Sequence, residues 1–188
     1  MRKVVLAVLL AVALVAPVFA ADEGAMELDI KAGFNVMGNG DIDGHDADVD
    51  PAFTAGVDFF YYVMPQLAIG AGVQYVFNSE MDKSDGLKIG WTNIYTQAKY
   101  VFETGNDVFN NIYPLVHLGY GILRTDADED IVDSNGLYWG IGVGTTIKEN
   151  FVFELLYSNS NATFIGEPST YDFKYSALQL KVGYKFTF

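Results

Sequence analysis

Residues 26–36 read MELDIKAGFNV, a stretch in which apolar and polar side chains alternate one for one. The even positions are all apolar, and the odd positions carry Glu27, Asp29, Lys31, Gly33 and Asn35. A period of two is typical of a β-strand with one apolar face. This stretch therefore predicts a strand whose second face is polar and charged.

The same alternation returns along the rest of the chain. It covers segments 53–63, 67–78, 93–102, 112–122, 137–148, 151–158 and 178–188, which with 26–36 make eight predicted strands. After residue 20 the chain contains no apolar run long enough to form a membrane helix. The expected fold class is therefore all-β.

The charges on the polar face indicate what surrounds this sheet. A soluble eight-stranded barrel fills its interior with apolar side chains and shows polar ones to water. Here one face carries charges among many glycines and the other is rich in aromatic residues, as expected of a barrel in lipid. We therefore predict an eight-stranded antiparallel up-and-down transmembrane β-barrel. Its first and last strands must pair, because an unpaired backbone group in hydrocarbon costs several kcal/mol.

The connections between predicted strands alternate in length. Segments 64–66 and 149–150 are short and 103–110 is intermediate, whereas 39–50, 79–86, 125–135 and 165–172 are long. Short turns of such barrels face the periplasm and long loops face outward, which places both termini in the periplasm. The four long segments hold 15 of the 24 acidic residues and one basic residue, Lys83. The outer surface is therefore expected to be strongly anionic.

Residues 1–20 have the pattern of a secretory signal peptide. Arg2 and Lys3 precede the apolar run 4–15, and Val18-Phe19-Ala20 supplies a cleavage site of the expected type. Cleavage after Ala20 would remove these two positive charges, so the formal charge would change from −13 to −15 and residues 21–188 would form one domain. The acidic balance argues against nucleic acid as a partner, and the absence of cysteine excludes disulfides.

Several charged residues share the inward face of the predicted barrel. An eight-stranded lumen is just wide enough for side chains, and a buried charge needs a partner. We therefore predict a lumenal ion-pair network among Asp29, Lys31, Asp58, Lys99, Glu154, Lys181 and Lys185. The alternative is a narrow channel for ions or small solutes along the same charges.

The acidic segment 39–50, NGDIDGHDADVD, partly matches the calcium-binding loop of an EF-hand. Its ligand positions would be occupied by Asn39, Asp41, Asp43 and Asp50. The last position normally prefers Glu, and no flanking helices are expected, so a solvated acidic loop is the favoured interpretation. We predict no other metal site and no cofactor.

Three cations fall on lipid-facing positions near the extracellular ends of predicted strands, namely Lys88, Arg124 and Lys174. Arg and Lys bind phosphate through charge-assisted hydrogen bonds. We hypothesise that these residues contact lipopolysaccharide phosphates, and a solvated rim is the alternative.

The C-terminal residues 181–188 read KVGYKFTF. Lys181, Gly183, Phe186 and Phe188 resemble the β-signal by which the outer-membrane assembly machinery recognises its substrates. With the strand pattern, the chain resembles the small outer-membrane β-barrels of the OmpA, OmpX and opacity-protein type. This resemblance implies location in the cell outer membrane and a structural or surface-interaction role, such as adhesion or envelope integrity.

An enzymatic activity is not expected. Lipid A deacylase barrels use a His and Ser pair on the lipid face. Here His117 is followed by Leu118 and Gly119 and lies at a position that faces the lumen. The barrel scaffold also supports adhesins, structural proteins and small channels, so the resemblance specifies fold and location better than activity.

Overall fold

A computed structural model describes residues 22–42, 45–80, 88–125, 135–165 and 170–188. Regular structure in these ranges consists of β1 Met26–Ile42, β2 His45–Val49, β3 Ala52–Met64, β4 Leu67–Glu80, β5 Lys88–Tyr100, β6 Phe102–Glu103, β7 Phe109–Thr125, β8 Asn135–Ile147, β9 Phe151–Ile165 and β10 Thr170–Thr187. No helix long and apolar enough to span a membrane occurs in these ranges.

The strands form one closed antiparallel sheet. Its wall runs in the order β1, β3, β4, β5, β7, β8, β9 and β10, and β10 pairs again with β1. The short strand β2 folds back on the end of β1, and β6 pairs with β7. Met26 and Phe188 exchange backbone hydrogen bonds of 2.9 and 3.0 Å, so the seam is closed to the last residue. The predicted eight-stranded barrel is confirmed.

The strands extend further at the extracellular end than the alternation predicted. Residues 39–42 continue β1 and residues 45–49 form β2, with Asn39 opposite Asp48 and Asp41 opposite Asp46. The prediction of a long loop over 39–50 was therefore wrong for these residues. β9 and β10 likewise extend to Ile165 and from Thr170. Beyond the lipid both faces of a strand are polar, so the alternation fades although the backbone pairing continues.

A β-bulge changes the facing of β1 near its middle. The register with β10 shifts between Asn35 and Met37, and the consecutive residues Val36 and Met37 are 45% and 69% exposed. Beyond this shift Gly40 is buried and Asn39 is exposed. Before the bulge the odd-numbered residues of β1 face the lumen, and after it the even-numbered residues do. Asn39 therefore faces outward.

Burial separates the lumen into layers. An extracellular apolar layer contains Val49, Ala52, Val76, Ile89, Trp91, Leu123, Ala162, Phe173, Tyr175 and Ala177. A periplasmic apolar layer contains Phe60, Tyr62, Ala68, Val101, Tyr113, Leu115, Val152 and Leu156. Buried polar and charged residues account for much of the remaining lumen, including Lys31, Gln74, Lys181 and Gln179. The outer face carries the exposed apolar side chains, as the alternation predicted.

Candidate functional site: the barrel lumen and outer wall

Lys31 lies at the centre of a buried charge cluster. Its Nζ atom is 2.5 Å from Asp58 Oδ2, 2.7 Å from Glu154 Oε1 and 3.7 Å from Asp29 Oδ2. None of these side chains is more than 4% exposed. Strands β1, β3 and β9 contribute the four residues, which the closure of the barrel brings together. We call Lys31, Asp29, Asp58 and Glu154 the Lys31 cluster.

Lys99 belongs to a separate pair. Its ammonium group bonds to Glu27, whose Oε2 atom accepts a hydrogen bond of 2.9 Å from Tyr62. The same ammonium lies 3.9 Å from the ring centre of Phe60 and 4.9 Å from that of Tyr113. Aromatic faces stabilise a cation held away from water. Sequence reasoning missed Glu27 as the partner, although it shares the inward parity of Asp29.

The other two predicted lumenal lysines lie beside these groups. Lys181 is opposite Glu154 in the register of β10 and β9 and lines a cavity of about 10 Å³ together with Lys31 and Asp58. A cavity of this size holds roughly one water molecule. Lys185 is half-buried and lines a cavity of about 570 Å³ at the periplasmic mouth with Glu27. The lumen is thus filled around the Lys31 cluster and wider at the periplasmic end.

Two buried tyrosines complete the Lys31 cluster. Tyr95 donates a hydrogen bond of 2.8 Å to Asp58, and Tyr113 donates one of 3.1 Å to Glu154. Glycines make room for these rings, because a Cβ atom on Gly72 would lie 2.7 Å from the Tyr95 ring and one on Gly144 would lie 2.4 Å from the Tyr113 ring. The sequence shows glycines at inward positions but not which ring covers which glycine.

Hydrogen bonds between neutral side chains connect further strands across the lumen. Gln74 donates to Gln179 and Gln179 donates to Ser158, each at 2.9 Å, while Asn35 donates to the Tyr175 hydroxyl at 2.9 Å. Sequence analysis gave these residues no role. These hydrogen bonds give partners to buried amide N–H groups across the lumen.

A stack of aromatic rings crosses the extracellular end of the lumen. The Trp91 ring lies 6.1 Å from that of Phe173 and 6.3 Å from that of Tyr175, at interplanar angles of 10° and 15°. Trp91 comes from β5 and the other two from β10, which is four strands away in either direction around the wall. The rings therefore meet across the lumen. All three residues are at most 4% exposed.

Arg124 is held flat against the outer wall. Its guanidinium carbon lies 3.7 Å from the ring centre of Tyr75, and its nitrogens donate to the Tyr75 hydroxyl and to the backbone oxygens of Val76 and Trp91. Gly90 lies opposite Arg124 in register, and a Cβ atom there would be 3.1 Å from Nη2. The glycine lets the side chain cross β5 to reach β4.

The three predicted phosphate-binding cations do not form one patch. Lys174 is on β10, on the opposite wall from β5, which carries Lys88. Lys174 stands opposite Asp41 in register, and Lys88 stands opposite Glu80. Each of these two lysines therefore faces an acidic position of a neighbouring strand, whereas Arg124 stands opposite Gly90 on β5.

The candidate calcium ligands are placed on different segments. Asn39 and Asp41 lie in β1, Asp50 is exposed after β2, and Asp43 lies outside the described residues. An extended hairpin differs from the compact loop in which an EF-hand collects its ligands. In the described ranges no three His, Cys, Asp or Glu side chains are grouped so as to hold a metal ion. The predicted signal peptide, 1–20, also lies outside these ranges.

The residues of the predicted β-signal lie on both faces of the C-terminal strand and at its end. Lys181 is buried and Gly183 is half-buried, whereas Phe186 and Phe188 are 43% and 67% exposed on the outer face. Two lumen-side positions of β10 are thus followed by an outward aromatic in β10, Phe186, and another just after it, Phe188. β10 pairs with both β9 and β1.

A closed antiparallel barrel with an apolar outer wall matches a known family. The outer membrane protein beta-barrel domain family matches residues 5–186. The chain belongs to this family. Its location is the cell outer membrane, as the resemblance implied. No curated protein matches the sequence.

Solved structures of other outer-membrane barrels share this fold. Ail of Yersinia pestis has a TM-score of 0.51 at 17% identity, covering 88% of this chain and 100% of Ail. OprG of Pseudomonas aeruginosa has a TM-score of 0.53 at 15% identity, covering 90% and 98%. Neisserial surface protein A has a TM-score of 0.57 at 18% identity, covering 87% and 100%. At these identities the similarity shows the fold alone.

Proposed function

We propose that this outer-membrane barrel is closed to solutes and acts through its surface, as a structural protein that presents acidic segments to the environment. The observation that carries the proposal is the filled lumen. The stack of Trp91, Phe173 and Tyr175 crosses the extracellular end, and the Lys31 cluster fills the lumen below it. An ion would have to displace both an apolar and a charged barrier in series.

Planar-bilayer conductance tests the closed lumen. We expect the refolded mature chain to show no steady unitary current in low salt or in salt concentrated enough to screen ion pairs. Salt weakens the charge attractions but leaves the aromatic stack in place. An open barrel of known conductance, inserted under the same conditions, controls for insertion. Steady unitary currents in either salt would instead support the alternative function, a narrow channel for ions or small solutes.

The charge of the extracellular segments supports a surface role. Segments 39–50, 79–86, 125–135 and 165–172 together hold 15 acidic residues. Ail is named an attachment invasion locus protein, and one of its structures is a complex with the heparin analogue sucrose octasulfate. A sulfated ligand would be repelled by the acidic segments here, so we propose that the partner is cationic.

Binding to charged probes tests this role. We expect the barrel in lipid nanodiscs to bind polylysine and not heparin, with polylysine binding that weakens as salt rises. A test variant removes five acidic charges from segment 125–135, and we expect it to bind polylysine more weakly. It replaces with Asn or Gln the residues Asp126, Asp128, Glu129, Asp130 and Asp133. Binding of heparin, or polylysine binding unaffected by these substitutions, would contradict the proposal.

We also propose that the chain has no catalytic activity and that its last strand is read by the outer-membrane assembly machinery. The first proposal is supported by the burial of His117, which is 3% exposed and stacks on Tyr95 with ring centres 4.3 Å apart. The second is supported by the alternate facing of Lys181 and Phe186 on β10.

A further inference from the structure

Arg124 places a positive charge on the lipid-facing wall, and among the described residues its hydrogen bonds go to neutral groups. These acceptors are the Tyr75 hydroxyl and the backbone oxygens of Val76 and Trp91, the last two at 2.9 and 3.2 Å. No carboxylate among the described residues forms an ion pair with it. A cation at the edge of hydrocarbon is stabilised by an anion, because its own solvation there is poor.

A row of aromatic rings marks the level of Arg124 in the membrane. Phe34, Phe53, Phe77 and Tyr75 follow one another around the outer wall, with successive ring centres 5.3, 5.3 and 4.8 Å apart. Aromatic girdles lie at the membrane–water interfaces of such barrels. The Arg124 guanidinium stacks on Tyr75, at one end of this row. Its charge therefore lies at the height of the outer-leaflet headgroups.

One N–H group of the Arg124 guanidinium is available to a ligand at the level of the headgroups. Arginine carries five N–H groups, and the contacts with Tyr75, Val76 and Trp91 occupy three of them. Nε is buried, so the unused hydrogen on Nη1 is the one available to a ligand. The stacking on Tyr75 and the crossing over Gly90 hold the group in one orientation before any ligand binds. Such preorganisation lowers the entropy lost on binding.

We propose that Arg124, supported by Tyr75, is a binding site for the phosphate of an outer-leaflet lipid whose acyl chains lie along the aromatic row. Guanidinium binds phosphate by charge-assisted hydrogen bonds, and an apolar wall below the phosphate suits acyl chains. The site lies on the outer wall, so it does not depend on whether the lumen is closed. Lys174, on the opposite wall and facing Asp41, is not part of it.

Native mass spectrometry of the refolded mature barrel in lipid nanodiscs tests the site. The probes are bis-phosphorylated lipid A, dephosphorylated lipid A and inorganic phosphate, and the variants are Arg124→Gln, Arg124→Lys and the control Lys174→Gln. We expect the wild type and Lys174→Gln to prefer phosphorylated over dephosphorylated lipid A about tenfold, the effect of one charged hydrogen bond. Arg124→Gln should lose this preference and Arg124→Lys should retain part of it.

Three results would overturn the proposal. The first is equal binding of the two lipids by the wild type. The second is an unchanged preference in Arg124→Gln, which would leave Arg124 with only a structural role in joining β4, β5 and β7. The third is displacement of lipid A by millimolar inorganic phosphate, which would indicate a site for a free anion. Heat-modifiable migration on gels verifies that each variant is folded.

Discussion

Replacing Lys31 with methionine is expected to lower the free energy of unfolding by about 3–5 kcal/mol, the usual cost of leaving buried charges without their partner. The lysine is the cation shared by Asp29, Asp58 and Glu154, which are all fully buried. Methionine has a similar length and fills the same space without charge. Urea-induced unfolding in detergent micelles, followed by tryptophan fluorescence, measures the loss.

Two further variants make this prediction specific. Lys174→Met removes an exposed lysine from the outer wall and should change stability by less than about 0.5 kcal/mol. Adding Glu154→Gln to Lys31→Met removes one of the stranded carboxylates and should recover part of the loss. A Lys31→Met barrel as stable as the wild type would show that the lumen does not depend on these ion pairs.

Replacing Trp91 with alanine is expected to cost about 3–5 kcal/mol, because a large ring is removed from a packed layer. The variant loses the contacts with both Phe173 and Tyr175 and leaves a cavity across the extracellular end of the lumen. Trp91→Phe keeps a ring in the stack and should cost less than half as much. The same urea titration measures both.

The chain offers a matched control in its second tryptophan, Trp139. This residue is 36% exposed on the outer wall, where lipid or detergent can fill the space that the ring leaves. Trp139→Ala should therefore destabilise the barrel less than Trp91→Ala does. Equal losses for the two alanine variants would mean that the stack contributes no more than a lipid-facing ring.

Both predictions concern the same question, whether the lumen is a core or a passage. An eight-stranded barrel has an interior of side-chain width, so its residues can pack as in a soluble protein. The apolar layers at the two ends and the Lys31 cluster show this packing. If the two substitutions have the expected cost, the interior stabilises the barrel and leaves the surface to carry the function.

The sequence predicted which charged residues face the lumen but not which of them pair with one another. The inward parity of Asp29, Lys31 and Lys99 was readable because alternation is a local property of a strand. Their partners come from strands far apart in the chain, such as Glu154 for Lys31. Glu27 was overlooked as the partner of Lys99, since only the register of neighbouring strands brings the two together.

The outer cations show the same limit. Arg124, Lys88 and Lys174 share lipid-facing parity, which the sequence reveals, yet Lys174 lies on the opposite wall. The path of Arg124 over Gly90 to Tyr75 depends on which residues stand side by side on β4, β5 and β7. The change of facing after Val36 was also hidden, because a bulge depends on pairing with the neighbouring strand.

The sequence by itself determined the fold class, the lipid-facing surface and the membrane location, because side chains alternate along a strand and an apolar outer face suits lipid. The tertiary structure alone decided the pairing of Lys31, the ring stack that crosses the lumen and the contacts of Arg124 with Tyr75 and Val76. These features depend on the register and closure of the sheet. Register is a long-range property that no single segment of the chain encodes.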